Sequence, residues 1–238
     1  MKNKKNIVCI ITARGGSKGI PNKNMINVAG KPLVKWSIDV ASCSKYLGQN
    51  NIYVTSDDEN ILDISIKSGA KPIKRPKKHS TDTATSESAL LHSIEHIEKL
   101  ENRIVDIVVF LSPTSPIREP KDINEAIDKF FSEEYDSLFS SCKIEDFFIW
   151  EKTPGGQLIS SNYDYRNRKR RQDIQEQYVE NGSIYIFKKT ILTAENNRLG
   201  GNIGTYLMED YKIYEIDKKE DVEICEYYLN KIYSNENK

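Results

Sequence analysis

The sequence predicts an α/β fold built on a mostly parallel sheet. Two observations carry this prediction. Runs of apolar residues without polar alternation, at 7–11 and 104–111, read as strands covered on both faces. Around them, stretches with apolar residues at helical spacing recur, so residues 1–135 alternate strand, helix, strand, helix, strand, helix. Such alternation implies right-handed crossovers, with ligands bound beyond the carboxyl ends of the strands.

The elements follow in order. The run 7–11 breaks into a loop, 13–24, that carries Gly15, Gly16 and Gly19 together with Arg14, Lys18 and Lys23. Glycines there can take positive φ and turn backbone N–H groups toward an anion, and arginine can grip two phosphate oxygens at once. The loop matches neither the dinucleotide fingerprint nor the lysine-bearing phosphate loop. A short extended piece at 25–28 ends near Gly30, and Pro32 opens a helix over 32–44 whose Leu33, Trp36, Val40 and Ala41 share a face. Residues 52–55 form a second strand. Asp57, Asp58 and Glu59 supply an acidic cap for a helix over 59–68, which Gly69 stops. An edge strand at 70–73 leads into an irregular segment, 75–85. A helix over 86–100, the apolar strand at 104–111, a loop at 112–118 with two prolines, and a helix over 120–131 complete this half.

The pattern changes after residue 136. A strand at 137–142 precedes the aromatic patch Phe147, Phe148, Ile149, Trp150 and a turn at 154–156. Residues 163–178 are polar and hold the densest basic cluster, Arg166, Arg168, Lys169, Arg170 and Arg171. This cluster reads equally as a solvated arm, as a site for a carboxylate, or as a nucleic-acid patch. A strand at 182–187, a short helix at 188–195, a loop at 196–204, a last strand at 212–217 and a helix over 221–233 follow. In that last strand Glu215 and Asp217 would share a face. The pair reads either as an exposed acidic surface or as two carboxylates that tolerate each other through a cation, with Mg²⁺ the natural choice beside phosphates.

Composition bounds the function. The 238 residues carry 35 basic and 35 acidic side chains, a net charge of zero that argues against a nucleic-acid-coating protein. No long apolar run suggests a membrane helix or signal peptide. The four cysteines form no close pair, and Cys9 and Cys142 sit in apolar runs as core thiols, which fits a reducing cytoplasm. Among the three histidines, His92 and His96 have helical spacing but lack the glutamate of a zinc-protease helix. The expectation is a single domain over 1–238. Its loops at 13–24, 75–86 and 112–118 would converge at one sheet edge.

These strings together resemble the CMP-sugar synthetases, the cytidylyltransferases that activate acidic keto-sugars, and most closely those acting on sialic acid and related nonulosonates. The resemblance rests on ITARGGSKGIPNKN at 11–24, then Arg75-Pro76 with Asp82-Thr83-Ala84, PTSPIR at 113–118, Arg171-Gln172, NGSIY at 181–185 and Glu215-Ile216-Asp217. It implies a Rossmann-like, nucleotide-diphospho-sugar transferase type of sheet with an inserted dimerisation subdomain at 140–178, and hence a homodimer. It also implies transfer of CMP from CTP to the anomeric hydroxyl of a 2-keto-3-deoxy sugar acid, with Mg²⁺ and release of pyrophosphate. On family positions, Arg14, Ser17 and Lys23 would contact the triphosphate, and Asn24, Arg75 and Ser86 the cytidine. Ser112, Arg171, Asn181 and Tyr185 would line the sugar site, and Asp217 with Glu215 would hold the metal. Arg14, Lys23 and Asp217 are the expected catalytic residues.

The departures from the family pattern fall mostly at the sugar end. Ser112 stands where a glutamine is common, Val179-Glu180-Asn181-Gly182 where R-P-N-G is common, and Glu215 where an aspartate is common. No aromatic pair occupies 196–204. These changes suggest a nonulosonate other than N-acetylneuraminate. An eight-carbon keto-sugar acid, a catalytically inert homologue and a nucleic-acid binder acting through 166–171 are the competing readings.

Overall fold

The computed structural model describes residues 5–233 apart from Lys18, Asp82, Glu145 and Asp146, and leaves the side chains of Ile144 and Arg171 undescribed. In chain order the elements are β1 (Ile7–Thr12), β2 (Asn27–Val28), β3 (Lys31–Pro32), α1 (Leu33–Ser42), β4 (Ile52–Ser56), α2 (Glu59–Lys67), β5 (Lys71–Lys74), α3 (Ser86–Glu101), β6 (Ile107–Leu111) and α4 (Pro120–Ser132). Then come β7 (Ser137–Ile144), β8 (Trp150–Lys152), β9 (Leu158–Ser160), β10 (Gln177–Lys188), α5 (Lys189–Glu195), β11 (Ile203–Met208) and α6 (Lys219–Tyr233).

The main sheet runs β11-β7-β10-β6-β1-β4-β5. Only β10 is antiparallel to its neighbours, β6 and β7; the remaining pairs are parallel. β1 lies inside the sheet between β6 and β4, with Ile11 opposite both Leu111 of β6 and Val54 of β4. Its unbroken apolar character has a direct cause. Cys9 and Ile11 face a core built with Val34, Ile38, Ile61, Ile123 and Phe130 from α1, α2 and α4. Val8 and Ile10 face the opposite core with Leu90, Ile94 and Leu192 from α3 and α5. A third cluster joins α6, through Cys225 and Leu229, to Ile20, Trp36, Ile117 and Ile216.

The helix ends follow local chemistry. Asp58 caps α2 by accepting from the amides of Asn60 and Ile61, and Thr85 caps α3 by accepting from Ser88. α4 begins with a reciprocal cap between Glu119 and Asp122, with Pro120 at its first position. All four cysteines are free thiols, and Cys9, Cys142 and Cys225 are buried. Among the described residues no helix is long and apolar enough to cross a membrane.

Two expectations about the second half are corrected. Residues 212–217 are not a strand: Asp210–Ile213 is a 3-10 turn, followed by extended chain in which the Ile216 amide donates to the Thr114 carbonyl at 2.7 Å. The edge strand of the sheet is instead β11, which begins inside the segment read as a loop. The stretch between β7 and β10 emerges from their paired ends, Ile144 opposite Gln177, and folds its own two-stranded hairpin, β8–β9.

Candidate active site

The glycine-rich loop leaves β1 at its carboxyl end, where the Ala13 amide donates to the Thr55 carbonyl of β4 at 3.0 Å. The expectation that its glycines take positive φ is corrected: that conformation falls to Asn22, at φ 53°, and not to Gly15, Gly16 or Gly19. Gly19 is required for close approach instead, since a Cβ there would lie 2.6 Å from the backbone oxygen of Asp217. The Gly15 amide donates to Asp57 Oδ1 at 3.0 Å, so the acidic residue after β4 holds the loop in place.

The three singled-out loops meet in a cavity of about 440 Å³ at the carboxyl edge of the sheet. Arg14, Ser17, Lys23 and Asn24 come from the first loop, Arg75 and Ser86 from the second, Ser112 from the third, and Asp217 from the segment before α6. Lys23 Nζ donates to the Ile216 carbonyl at 2.9 Å and to Asp217 Oδ1 at 3.0 Å. Asn24 is buried and its amide nitrogen donates to the Arg14 carbonyl at 2.9 Å, which fixes the backbone that carries Arg14. Arg75 is buried at 6% exposure, with Nε and Nη2 lacking any acceptor among the described residues. Burial pulls its guanidinium down from the usual arginine value, and Arg14 nearby adds to this while Asp57 opposes it. A buried, underpaired guanidinium in a cavity wall is a site that a ligand acceptor would complete.

His79, Ser80 and Thr81 also line the cavity. The flagged segment 75–86 contained them, but their side chains reach the site through a 3-10 turn, Lys77–His79, that no periodicity announces. The floor at Ser112, Pro113 and Thr114 is held from below by Arg118, whose Nη2 donates to the carbonyls of Ser112 and Ser115. Arg118 is fully buried, and burial pushes its guanidinium down to about 10. Lys18 and Asp82 lie outside the described residues, as does the side chain of Arg171.

The expected sugar residues divide. Ser112 lines the cavity and shares a hydrogen bond of 2.8 Å with Thr114. Tyr185 stacks on Phe110 at 5.6 Å, donates its hydroxyl to Glu180, and is not among the residues that line the cavity. Asn181 is not brought to the cavity at all. It is 1% exposed, accepts from Ser140 Oγ at 2.6 Å and donates to the Lys212 carbonyl at 3.0 Å, so its side chain is consumed in bracing β10 against β7 and the 3-10 turn.

Glu215 and Asp217 also separate. Asp217 is exposed at the cavity, whereas Glu215 is half-buried against Gly182, whose φ of +68° and missing Cβ make room for the carboxylate. Burial first, and Asp217 second, push the Glu215 carboxyl above its usual range. Among the described residues no group of three or more His, Cys, Asp or Glu could hold a metal ion. A Mg²⁺ ion bound mainly by substrate phosphates needs only one or two carboxylates, and Asp217 at the cavity with Glu215 behind it fits that demand.

The basic cluster is partly engaged by its own hairpin. Arg168 lies 4.0 Å over the Phe148 ring, Arg166 5.0 Å over Tyr165, and Arg170 pairs with Asp173 at 2.8 Å.

A family model described as cytidylyltransferase matches residues 8–238. The chain is 34% identical over 224 residues to N-acylneuraminate cytidylyltransferase A of Danio rerio, covering 93% of this chain and 50% of that one. It is 31% identical over 231 residues to pseudaminic acid cytidylyltransferase of Campylobacter jejuni, covering 94% of this chain and 95% of that one. The chain thus spans about half the length of the N-acylneuraminate cytidylyltransferases it matches. In fold it is similar to a CMP:2-keto-3-deoxy-manno-octonic acid synthetase complexed with CTP, with a TM-score of 0.70, 17% identity, and coverage of 96% of this chain and 100% of that one. It is also similar to 4-diphosphocytidyl-2C-methyl-D-erythritol synthase of Anaerococcus prevotii, with a TM-score of 0.65 at 14% identity over 95% of this chain and 99% of that one. The match over residues 8–238 and the identity to relatives along most of the chain agree with the sheet and the cavity: the chain belongs to the cytidylyltransferase family.

Proposed function

We propose that this chain transfers CMP from CTP to the anomeric hydroxyl of an acidic 2-keto-3-deoxy sugar and releases pyrophosphate. The observation that carries the reading is the polar cavity in which Arg14, Lys23 and Arg75 meet hydroxyl-bearing loops and an exposed carboxylate, Asp217. In the reaction the anomeric oxygen forms a bond to the α-phosphorus, the bond from that phosphorus to the leaving pyrophosphate oxygen breaks, and the hydroxyl proton is released. Negative charge grows on the phosphates as this happens, so fixed cations must already be in place. Arg14 and Lys23 meet that need for the triphosphate, with Ser17 donating beside them. The underpaired Arg75 can donate to cytosine O2 and N3, where uracil would present an N–H instead, and Ser86 and Asn24 complete the nucleoside wall. Bound at Asp217 and Glu215, Mg²⁺ would supply Lewis-acid neutralisation of the phosphates.

The acceptor we infer is a nonulosonate other than N-acetylneuraminate, such as a legionaminic or pseudaminic acid. Glu180, exposed near the start of β10 and accepting from Tyr185, supports this, because an acid appears where a proline is usual and Val179 beside it stands where an arginine is usual. Arg171 is the cation we assign to the sugar carboxylate. The exposed apolar residues Phe147, Ile149, Trp150, Leu158 and Ile159 of the hairpin region suit an interface between two copies of the chain. The free thiols accord with a cytoplasmic setting.

The test is pyrophosphate release from CTP and Mg²⁺ with a panel of nonulosonates and eight-carbon keto-sugar acids. No release with any acceptor overturns the proposal, and faster turnover of N-acetylneuraminate than of the others overturns the choice of sugar.

A further inference from the structure

The three histidines of the chain stand in one row that starts at the cavity. His79, from the 3-10 turn after β5, lines the cavity. The His92 ring of α3 lies 5.4 Å from that of His79. The His96 ring, one helical turn further along α3, lies 6.2 Å from that of His92. The proposed reaction uses none of the three. Histidine is the side chain whose ordinary titration falls between pH 5 and 8, so this row is where mild acid reaches the cavity wall.

The surroundings of the middle ring decide how it titrates. Its Nδ1 is buried without a partner among the described residues. Burial, then His79 and His96, hold its imidazole below the ordinary value of 6.5. Glu95, on the same helix, opposes them, and Arg75, from the end of β5, adds to them. Arg75 in turn feels Arg14 across the cavity mouth of the two loops. A proton on the row is therefore opposed by the same fixed cations that suit an anionic ligand. A nucleoside triphosphate brings several negative charges against Arg14 and Arg75 and cancels that opposition. A charged imidazole can also donate to the lone pair of a neutral one beside it, so the row can hold one proton where two would repel.

We propose that the row His79–His92–His96 takes up a proton when CTP binds, so that the affinity for CTP rises as the pH falls. This rests on the reading of the cavity as a CTP site. The sign follows from linkage. An anion that makes a neighbouring group easier to protonate is itself bound more tightly where that group is charged, and by the same factor. The gain is absent above both the free and the CTP-bound titration of the row, and complete below both. A difference of one pH unit between the two titrations is a tenfold gain in affinity.

The experiment is calorimetry of CTP binding, with Mg²⁺ and without an acceptor, in buffers of different ionisation heat at about pH 6 and about pH 8. It uses the untagged chain, in which these are the only histidines. The number of protons taken up is compared among wild type, His92→Gln and His79→Gln. Protons gained or lost by the nucleotide phosphates enter all three counts alike and cancel. At the lower pH we expect the wild type to take up about half a proton more than either variant, and at the higher pH no more. Between the two, its Kd for CTP should tighten by about threefold or more beyond that of His92→Gln. A count that either variant leaves equal to wild type overturns the proposal. Should the variants fail to fold, the wild type answers alone. Its three histidine ring signals, followed by NMR against pH, should include one whose midpoint rises by about half a unit or more when CTP is added. Three unmoved midpoints overturn the proposal. Absence of CTP binding by the wild type would instead count against the reading of the cavity itself.

Discussion

Lys23 and Asp217 meet at the cavity with Nζ 3.0 Å from Oδ1, across 194 positions of sequence. The pair ties the glycine-rich loop to the segment before α6, and Gly19 packs against the backbone of the same aspartate. Asp217 is 70% exposed, so its attraction to Lys23 is screened and worth about 0–1 kcal/mol. Asp217→Asn should therefore leave the unfolding temperature nearly unchanged. If the carboxylate serves the reaction through Mg²⁺, the same variant should lose about a hundredfold or more in turnover. Pyrophosphate release titrated with Mg²⁺, beside thermal unfolding, checks both halves. Full activity in the variant would remove Asp217 from the site.

Gly182→Ala should be clearly destabilising. Its φ of +68° costs about 1–2 kcal/mol for a residue with a side chain, and the new Cβ would lie 1.9 Å from Glu215 Oε1. Glu215 would have to leave its half-buried place. In a chain of 238 residues each kcal/mol lowers the unfolding temperature by about 2–4 °C, so a fall of several degrees is expected. Gly16→Ala is the matched control, because a Cβ there meets nothing within 4 Å and its φ is not positive. Equal unfolding temperatures for the two variants would contradict the close approach of Glu215.

His92 should make the protein acid-sensitive. Its ring lies 5.4 Å from that of His79 and 6.2 Å from that of His96, and its Nδ1 is buried without an acceptor among the described residues. Burial, then His79 and His96, hold its imidazole below the ordinary value of 6.5. The folded state thus prefers the neutral ring. Its contribution is fully present above the unfolded value and is lost as the pH falls through the folded one. Urea unfolding at pH 7.5 and pH 5.5 should give a larger loss for the wild type than for His92→Gln. Parallel losses in the two proteins would rule the histidine out as the cause.

What could be read from the sequence was what local pattern determines. β1 and β6 were legible because both faces of each are covered, which forbids polar alternation. The convergence of Arg14, Lys23, Arg75 and Ser86 followed from the rule that places ligands at strand carboxyl ends. β11 was hidden because it is an edge strand: its Ile203 and Leu207 are exposed, its Gly204 is buried, and it starts in a run rich in glycine and asparagine. Residues 212–217 alternate like a strand, yet the charged Lys212 is buried along with Ile216, while Tyr214 is exposed. Asn181 looked like a ligand residue because its role depends on Ser140 and on the Lys212 carbonyl, both distant in sequence. Arg118 and Arg198 share this property, since their burial is set by tertiary contacts that no spacing reveals.

Lys212 should be the most costly charge in the chain to remove. Its side chain is 0% exposed, as is that of Asp122, and its Nζ donates to Asp122 Oδ2 at 2.8 Å, to Glu119 at 2.9 Å and to Glu209 at 2.7 Å. The cation is held above its ordinary value because three carboxylates outweigh its burial. Asp122 does not mirror this: it shares the one cation with two other acids, and burial still pushes its carboxyl up. Lys212→Met would leave Asp122 buried and unpaired, which costs about 3–5 kcal/mol, or on the order of 10 °C. Asp122→Asn in the same chain should recover part of the loss, since the amide keeps the cap oxygen of α4 without the charge. The deficit should also shrink in acid. Hydrogen bonds to Lys212 and Lys121 pull Glu209 down to about 2 against its burial, so the wild type loses that contribution as the pH falls below about 4.5. In Lys212→Met, Asp122 has its value raised further, and it takes up a proton in the folded state over the same range, which favours folding. Thermal unfolding at pH 7, 5 and 4 should show the two proteins converging. A constant gap would mean that packing, not charge, is what Lys212 provides.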